Sequence, residues 1–250
     1  MDTSKLIQVN GIVINSIDYK ESSKIIKVFT EELGLVSILI RGAKRPNSKF
    51  QNISSLYCQA SYEIIRSKDD LFYLDDAKVI NLNEDLRKDI KRIYCVQVMV
   101  DLINKTILEG EAHKDLYNML KKAVSFANSI DNLVVLLSMY IIKYLALIGY
   151  KPSLQTCIVC GKRLEDKMGF SRVYGGVTCI DHEIPYDLIN SADQKYLGWL
   201  LYTRFDDIDQ CIEKDKARQL KFLEYLENFA CQTLDINSSK AFQSFRKFIN

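Results

Sequence analysis

The sequence predicts an α+β chain of more than one domain: a small five-stranded β-barrel at the amino end, then an α-helical domain with an inserted, zinc-knuckle-like segment. Three observations predict it. The first eighty residues alternate short β-branched and aromatic runs with turn signals; the period turns helical at Asn83; and a cysteine-bearing stretch, CIVCGKRLEDKMGFSRVYGGVTCIDH, interrupts the helices at 157–182. At 250 residues the chain exceeds the roughly 100–200 residues usual for one domain. With 48% apolar and 26% charged residues it has the composition of a folded protein. The texture divides it into a barrel domain at 1–80 and a helical domain at 81–250, with the insert at about 155–190.

Five strands are predicted, at Leu6–Asn15, Lys24–Thr30, Val36–Arg41, Tyr57–Arg66 and Leu71–Ile80. Turn signals separate them at Asp18–Ser23, Leu33-Gly34, Gly42–Ser54 and Ser67–Asp70. No helical pattern among them is long enough to cover a parallel sheet, so an antiparallel barrel or sandwich is expected. The oligonucleotide-binding (OB) barrel is one member of that set, and strand count alone does not choose it.

From Asn83, read as an N-cap, Leu86, Ile90, Ile93, Val96, Val100, Ile103 and Ile107 recur at spacings of three and four and predict one helix of about six turns. Further helices are predicted at about Asp115–Asn128 and at about Asn132–Ile148, the latter stopped by Gly149 and Pro152. Beyond the insert, Ser191-Ala-Asp-Gln194 reads as a capping box opening a helix to about Thr203, with Trp199 in the core. Lys214–Leu234 and Ser239–Ile249 complete the set, and His113 is expected on the surface or at a helix cap.

Several classes are disfavoured. The apolar run Leu133–Tyr150 approaches the length of a membrane span but carries Lys143 near its middle, which reads as a buried core helix and no membrane partner. The amino end lacks the basic start and long apolar run of a secretory signal. Cys58, Cys95, Cys211 and Cys231 stand alone without framework spacing, as reduced intracellular thiols do. There is no phosphate-binding Walker loop, nucleophile elbow or H-E-x-x-H, and two histidines leave little for acid–base chemistry, so no enzyme is expected. A net charge of +2 requires any anion site to be local.

The cysteine segment offers C-x2-C at Cys157 and Cys160, and C-x2-H at Cys179 and His182. Two such pairs complete the closed tetrahedral shell of a structural zinc, and Gly161 and Gly175-Gly176 supply the freedom that knuckle turns need. The competing readings are a redox pair, which would open a helix in a βαβ unit; a catalytic zinc, which would keep an open position; and a metal-free site in which Asp181 competes with His182. A second feature is the loop RGAKRPNSKF, where Arg41, Lys44, Arg45 and Lys49 stand without an acid. Such a loop on a barrel rim suits a phosphate chain, and Phe29, Tyr57, Tyr62, Phe72 and Tyr73 on neighbouring strands suit stacked bases. The alternative is a solvated connector above core aromatics.

Taken together, GIVINSIDYKESSKIIKVFTEELGLVSILIRGAKRPNSK, LIGYKPSLQTCIVCGK and GFSRVYGGVTC resemble, in order and through nearly the whole chain, the RecO family of bacterial recombination mediators. The resemblance implies an OB barrel, a helical carboxy-terminal domain and a zinc knuckle within it. It also implies a cytoplasmic, nucleoid-associated DNA repair protein that binds single- and double-stranded DNA, anneals complementary strands and acts with RecR. Together they load RecA onto strands coated by single-stranded DNA-binding protein (SSB). Arg41, Lys44, Arg45 and Lys49 inherit a DNA-binding role from it, while the family's SSB contact in the helical domain has no local motif to transfer. Relatives commonly close the metal site with a fourth cysteine, where this chain has His182. The alternatives are a zinc-stapled interaction adaptor without strong DNA affinity and a zinc hydrolase or deaminase.

Overall fold

A computed structural model describes residues 6–66, 71–164 and 167–249. It forms two compact units, one of residues 1–93 with 102–129 and one of residues 94–101 with 130–250. The predicted turn at Ser67–Asp70 lies outside the described residues.

In the first unit β1 (Leu6–Tyr19), β2 (Ser23–Thr30), β3 (Gly34–Ile40), β4 (Gln59–Arg66) and β5 (Phe72–Asn81) close a barrel in the order β1-β2-β3-β5-β4. β1 runs antiparallel to both β2 and β4, and β3 meets β5 in parallel at Ile38↔Phe72 and Leu39↔Tyr73. This is the Greek-key closure of an OB barrel. Alternation supplies the core: Val9 and Val13, Ile26 and Val28, Val36, Ile38 and Ile40, and Ala60, Tyr62 and Ile64 all face inward. A bulge between Val13 and Asn15 lets β1 bend and serve both neighbours.

The single helix expected from Asn83 is two. α1 (Glu84–Lys88) ends at Asp89, which is extended at φ −124° and ψ 117°, and α2 (Ile90–Thr106) begins there. Asp89 breaks the stripe because its carboxylate accepts the Lys91 N–H at 2.8 Å, capping a new helix. Asn83 precedes α1 in the left-handed region, at φ 50°, without capping it; its side-chain amide donates to the Tyr57 carbonyl at 2.8 Å. α3 (Lys114–Ser129) is tied to α1 by the Asn128 side chain, which accepts the Leu86 N–H at 2.8 Å. His113 supplies the carbonyl that accepts the Tyr117 N–H at 2.9 Å, at the start of α3.

In the second unit α4 (Leu133–Leu147) is buried on nearly every face, against α5 (Ser191–Tyr202), α6 (Lys216–Leu234) and a 3-10 turn at Phe205–Gln210. Asn132 caps its start, and a Schellman end forms where Gly149 takes φ +98° and Tyr150 N–H reaches the Leu145 carbonyl at 2.7 Å. Lys143 is accommodated because its amine donates to the Leu201 carbonyl, at the end of α5, at 2.6 Å; burial lowers its pKa to about 8. Among the described residues no helix is long and apolar enough to cross a membrane. The capping box opens one residue earlier than expected, on Asn190 and Asp193, because the Asn190 amide oxygen and the Asp193 carboxylate complete the reciprocal pair. Trp199 lies beside Tyr196 at 6.4 Å and stays partly exposed, outside the core. The last helix is α7 (Lys240–Ile249).

The insert is more than a hairpin. β6 (Lys167–Ser171), β7 (Gly176–Thr178) and β8 (Asp187–Asn190) form a sheet ordered β7-β6-β8. Phe170 seats it edge-on against Tyr225 and Phe229 of α6, at 5.6 and 5.4 Å.

Gly34 offers a test of the barrel packing. It takes φ +67°, and a Cβ there would collide with the Glu111 carbonyl, whereas Gly110, at φ +83°, has open space around it. Gly34→Ala is expected to cost about 2–4 kcal/mol and Gly110→Ala about 1 kcal/mol, read as midpoint shifts in urea unfolding. Equal losses would remove the close approach as the cause.

Candidate functional site

The four residues singled out by spacing converge. The ligand atoms of Cys157, Cys160, Cys179 and His182 lie within 4.8 Å of one another, so the cluster could hold a metal ion. Local geometry explains the convergence. The first pair sits on a knuckle in which Gly161 N–H reaches the Cys157 carbonyl at 2.9 Å and Cys157 N–H reaches the Lys162 carbonyl at 2.8 Å. Gly161 turns at φ +71°. The second pair leaves the end of β7, which is laced to the first by Ile158 N–H on the Val177 carbonyl at 3.0 Å. Gly176 is required there, since a Cβ would strike Ile158 and the Ser153 carbonyl.

The donor set fits a tetrahedral ion. A metal–thiolate bond of about 2.3 Å places tetrahedral sulfurs about 3.8 Å apart. Cys160 Sγ and Cys179 Sγ are 3.7 Å apart. His182 Nε2 is buried and has no hydrogen-bond partner among the described residues, as suits an atom that could ligate an ion. Cys157 Sγ accepts N–H groups of Val159 and Cys179, each at 3.4 Å, as outer-shell donors do around bound sulfur.

The charges agree with this. Burial opposes ionisation of Cys157, but the N–H groups of Cys160, Cys179 and Val159 with the Thr178 hydroxyl outweigh it and hold the thiol down at about 5. The Lys162 N–H lowers Cys160 as well. Burial and the neighbouring sulfurs push Cys179 up to about 11, and the Cys160 sulfur raises His182. A cation bound by these donors displaces the protons they carry, as metal binding at thiol and imidazole ligands does.

The basic loop runs between β3 and β4 and is folded onto the barrel. Lys44 N–H reaches the Ser22 carbonyl at 2.9 Å, and Lys44 Nζ pairs with Asp18 at 2.7 Å, holding that carboxyl below its usual range. Lys49 pairs with Asp76 at 2.8 Å, and Arg41 lies over the Tyr73 ring at 4.8 Å. Arg45 is exposed and makes no ion pair among the described residues. The acids missing from the loop's own sequence thus arrive from β1 and β5, a cross-strand pairing without local signal. The aromatics proposed for stacking are mostly core: Phe29, Tyr57, Tyr62 and Phe72 are buried, and only Tyr73 is half-exposed. Tyr62 and Phe72 face inward with the core positions of their strands, and Phe29, on the outer face of β2, is covered by Tyr117 of α3.

Comparison with known proteins extends over the same two regions. A family profile described as Recombination protein O N terminal matches residues 1–83, and one described as Recombination protein O C terminal matches 87–230. The DNA repair protein RecO of an Exiguobacterium species is 32% identical, over 71% of this chain and 70% of that protein. The DNA repair protein RecO of Bacillus cereus is 30% identical over 80% of each chain, and that of Caldanaerobacter subterraneus 27% identical over 82% and 84%.

Metal removal gives the direct check on the cluster. Stripping the protein with a strong chelator, or Cys157→Ser, is expected to lower the melting temperature, and re-addition of ion should restore it for the natural chain only. Because a metal competes with protons for thiol sulfur, uptake should weaken as pH falls, by about tenfold per pH unit for each proton released. A melting temperature indifferent to chelator would dismiss the site.

Proposed function

The chain belongs to the RecO family of DNA repair and recombination proteins, non-enzymatic mediators, and from that membership we propose that it binds single- and double-stranded DNA and anneals complementary strands. With RecR it would help to load RecA onto single strands coated by SSB, in the bacterial cytoplasm at the nucleoid. The match across both halves of the chain carries this reading. The basic loop tied to the barrel supports a DNA contact at Arg41, Lys44, Arg45 and Lys49, within a barrel domain at 1–80. The helical domain at 81–250 would meet the protein partners.

We assign zinc to Cys157, Cys160, Cys179 and His182, in a structural role. Three sulfurs and one nitrogen suit that ion, and four protein donors leave no position open for a substrate. Zinc would add a rigid staple to the insert, and no step on DNA passes through it. One observation favours partner docking by the insert as well: Val159, Val173, Tyr174, Ile180 and Leu188 all expose apolar side chains there.

The physical task needs no bond making on DNA. A mediator lowers the barrier to exchanging one strand-binding protein for another by holding the strand while it engages the proteins. In a salt series read by fluorescence anisotropy of a labelled single strand, Lys44→Ala with Arg45→Ala is expected to weaken binding alike on unrelated sequences. The slope of log affinity against log salt should fall by about 0.7 for Arg45 and by less than that for Lys44, whose charge is shared with Asp18. Weak, salt-insensitive binding by the natural chain would favour the adaptor instead.

A further inference from the structure

We infer that this chain holds DNA by its phosphates along the barrel rim, with Lys20 of the β1–β2 turn added to the basic loop, and that the bases are left unstacked. The inference rests on the DNA-binding reading above and specifies how it is done.

An OB barrel ordinarily takes its strand on the outer face of β2 and β3. Here that face consists of the rows Phe29↔Leu35, Lys27↔Ser37 and Ile25↔Leu39. Its one aromatic, Phe29, is fully buried and meets Tyr117 of α3 edge-on at 6.1 Å. Lys27 is paired with Glu109 at 2.9 Å. Gly110 N–H reaches the Leu35 carbonyl at 3.2 Å, and the Glu111 backbone lies against Gly34. The chain's own segment from 109 to 117 therefore occupies the place of a ligand, and among the described residues β2 and β3 offer no exposed ring on this face; the half-exposed Tyr73 of β5, beside Leu39, lies under Arg41.

The rim is built differently. Three aromatic rings stand there, and each has a cation over it: Tyr19 under Lys20 at 5.2 Å, Phe50 under Lys49 and Tyr73 under Arg41, both at 4.8 Å. A cation over a ring takes a place that a base would need, and the ring in turn fixes the charge. Lys20 belongs to this rim because its turn is bonded to the loop through Ser22 and Lys44. Of these charges Lys49 and Lys44 are partly neutralised by Asp76 and Asp18, which leaves Lys20, Arg41 and Arg45 as the positive row without an ion pair among the described residues. Fixed positive charge without a stacking platform recognises a polyanion, and the spacing of phosphates is common to all sequences.

The test compares a labelled single strand with an abasic deoxyribose-phosphate strand of equal length across a salt series, using the full chain. The expected result is affinities within about twofold and equal salt slopes, since loss of even one stacked base would weaken binding roughly fivefold or more. Lys20→Asn, which removes the charge but suits the left-handed φ of 52° at that turn, should weaken both strands equally and lower the slope by about 0.7. An abasic strand bound more than about fivefold more weakly overturns the phosphate-only mode. An unchanged slope in Lys20→Asn removes Lys20 from the row. If neither strand binds, the DNA-binding reading itself fails, a result distinct from both.

Discussion

Everything in the first unit depends on β1 being hydrogen-bonded along both edges. Fourteen residues long, it pairs with β2 on one side and β4 on the other, which closes the barrel and leaves no free edge on that strand. Closure fixes register, and register fixes parity, because a slip by one residue would turn Val9 and Val13 out of the core. It also sets the rim. Asp18 stands opposite Lys24, and Lys24 stands opposite Ile40, so the β1–β2 turn and the exit of β3 into the basic loop are brought to one end of the sheet. Residues twenty or more positions apart thereby share an electrostatic neighbourhood, and Asp18 finds Lys44.

A comparable constraint governs the insert in the second unit. Strands of five, three and four residues are too short to bury a core of their own. Two anchors compensate. Phe170 docks on the aromatic side chains of α6, and at the other end the two Cys/His pairs converge between the knuckle and β7, where an ion could hold them together. The N–H groups aimed at Cys157 show that the backbone is already arranged to support sulfur charge, and His182 Nε2 has no hydrogen-bond partner among the described residues. A site of this kind is coupled to folding, since the donors are brought within reach only by the turns that they in turn secure.

Much of this was legible because it rests on short-range pattern. The strands follow from β-branched alternation, α4 from its apolar run, and the convergence of Cys157, Cys160, Cys179 and His182 from their paired spacing. The misses came where a side chain competes with the pattern or a distant element intervenes. Asp89 prefers capping to continuing a stripe of apolar residues. Asn190 outcompetes Ser191 for the cap because it reaches two N–H groups at once. The burial of Phe29 depends on Tyr117, eighty-eight positions away. The ion pairs that occupy Lys44 and Lys49 come from other strands, so a loop that reads as four free cations carries fewer.

That reduction bears on what a mediator requires. The chain has 34 basic and 32 acidic residues, so attraction to DNA has to come from placement and not from total charge. Exposed ion pairs contribute little to stability, and in the proposed binding mode their value would be to orient cations that a phosphate could recruit. Stacking would hold a strand more tightly, but it would occupy base faces and oppose release. A row of charges grips the backbone, lets go as counterions compete, and leaves the Watson–Crick edges turned to whatever strand arrives next. If the chain passes DNA between partners and brings complementary strands together, as proposed, a grip confined to the phosphates would reconcile holding with exchange.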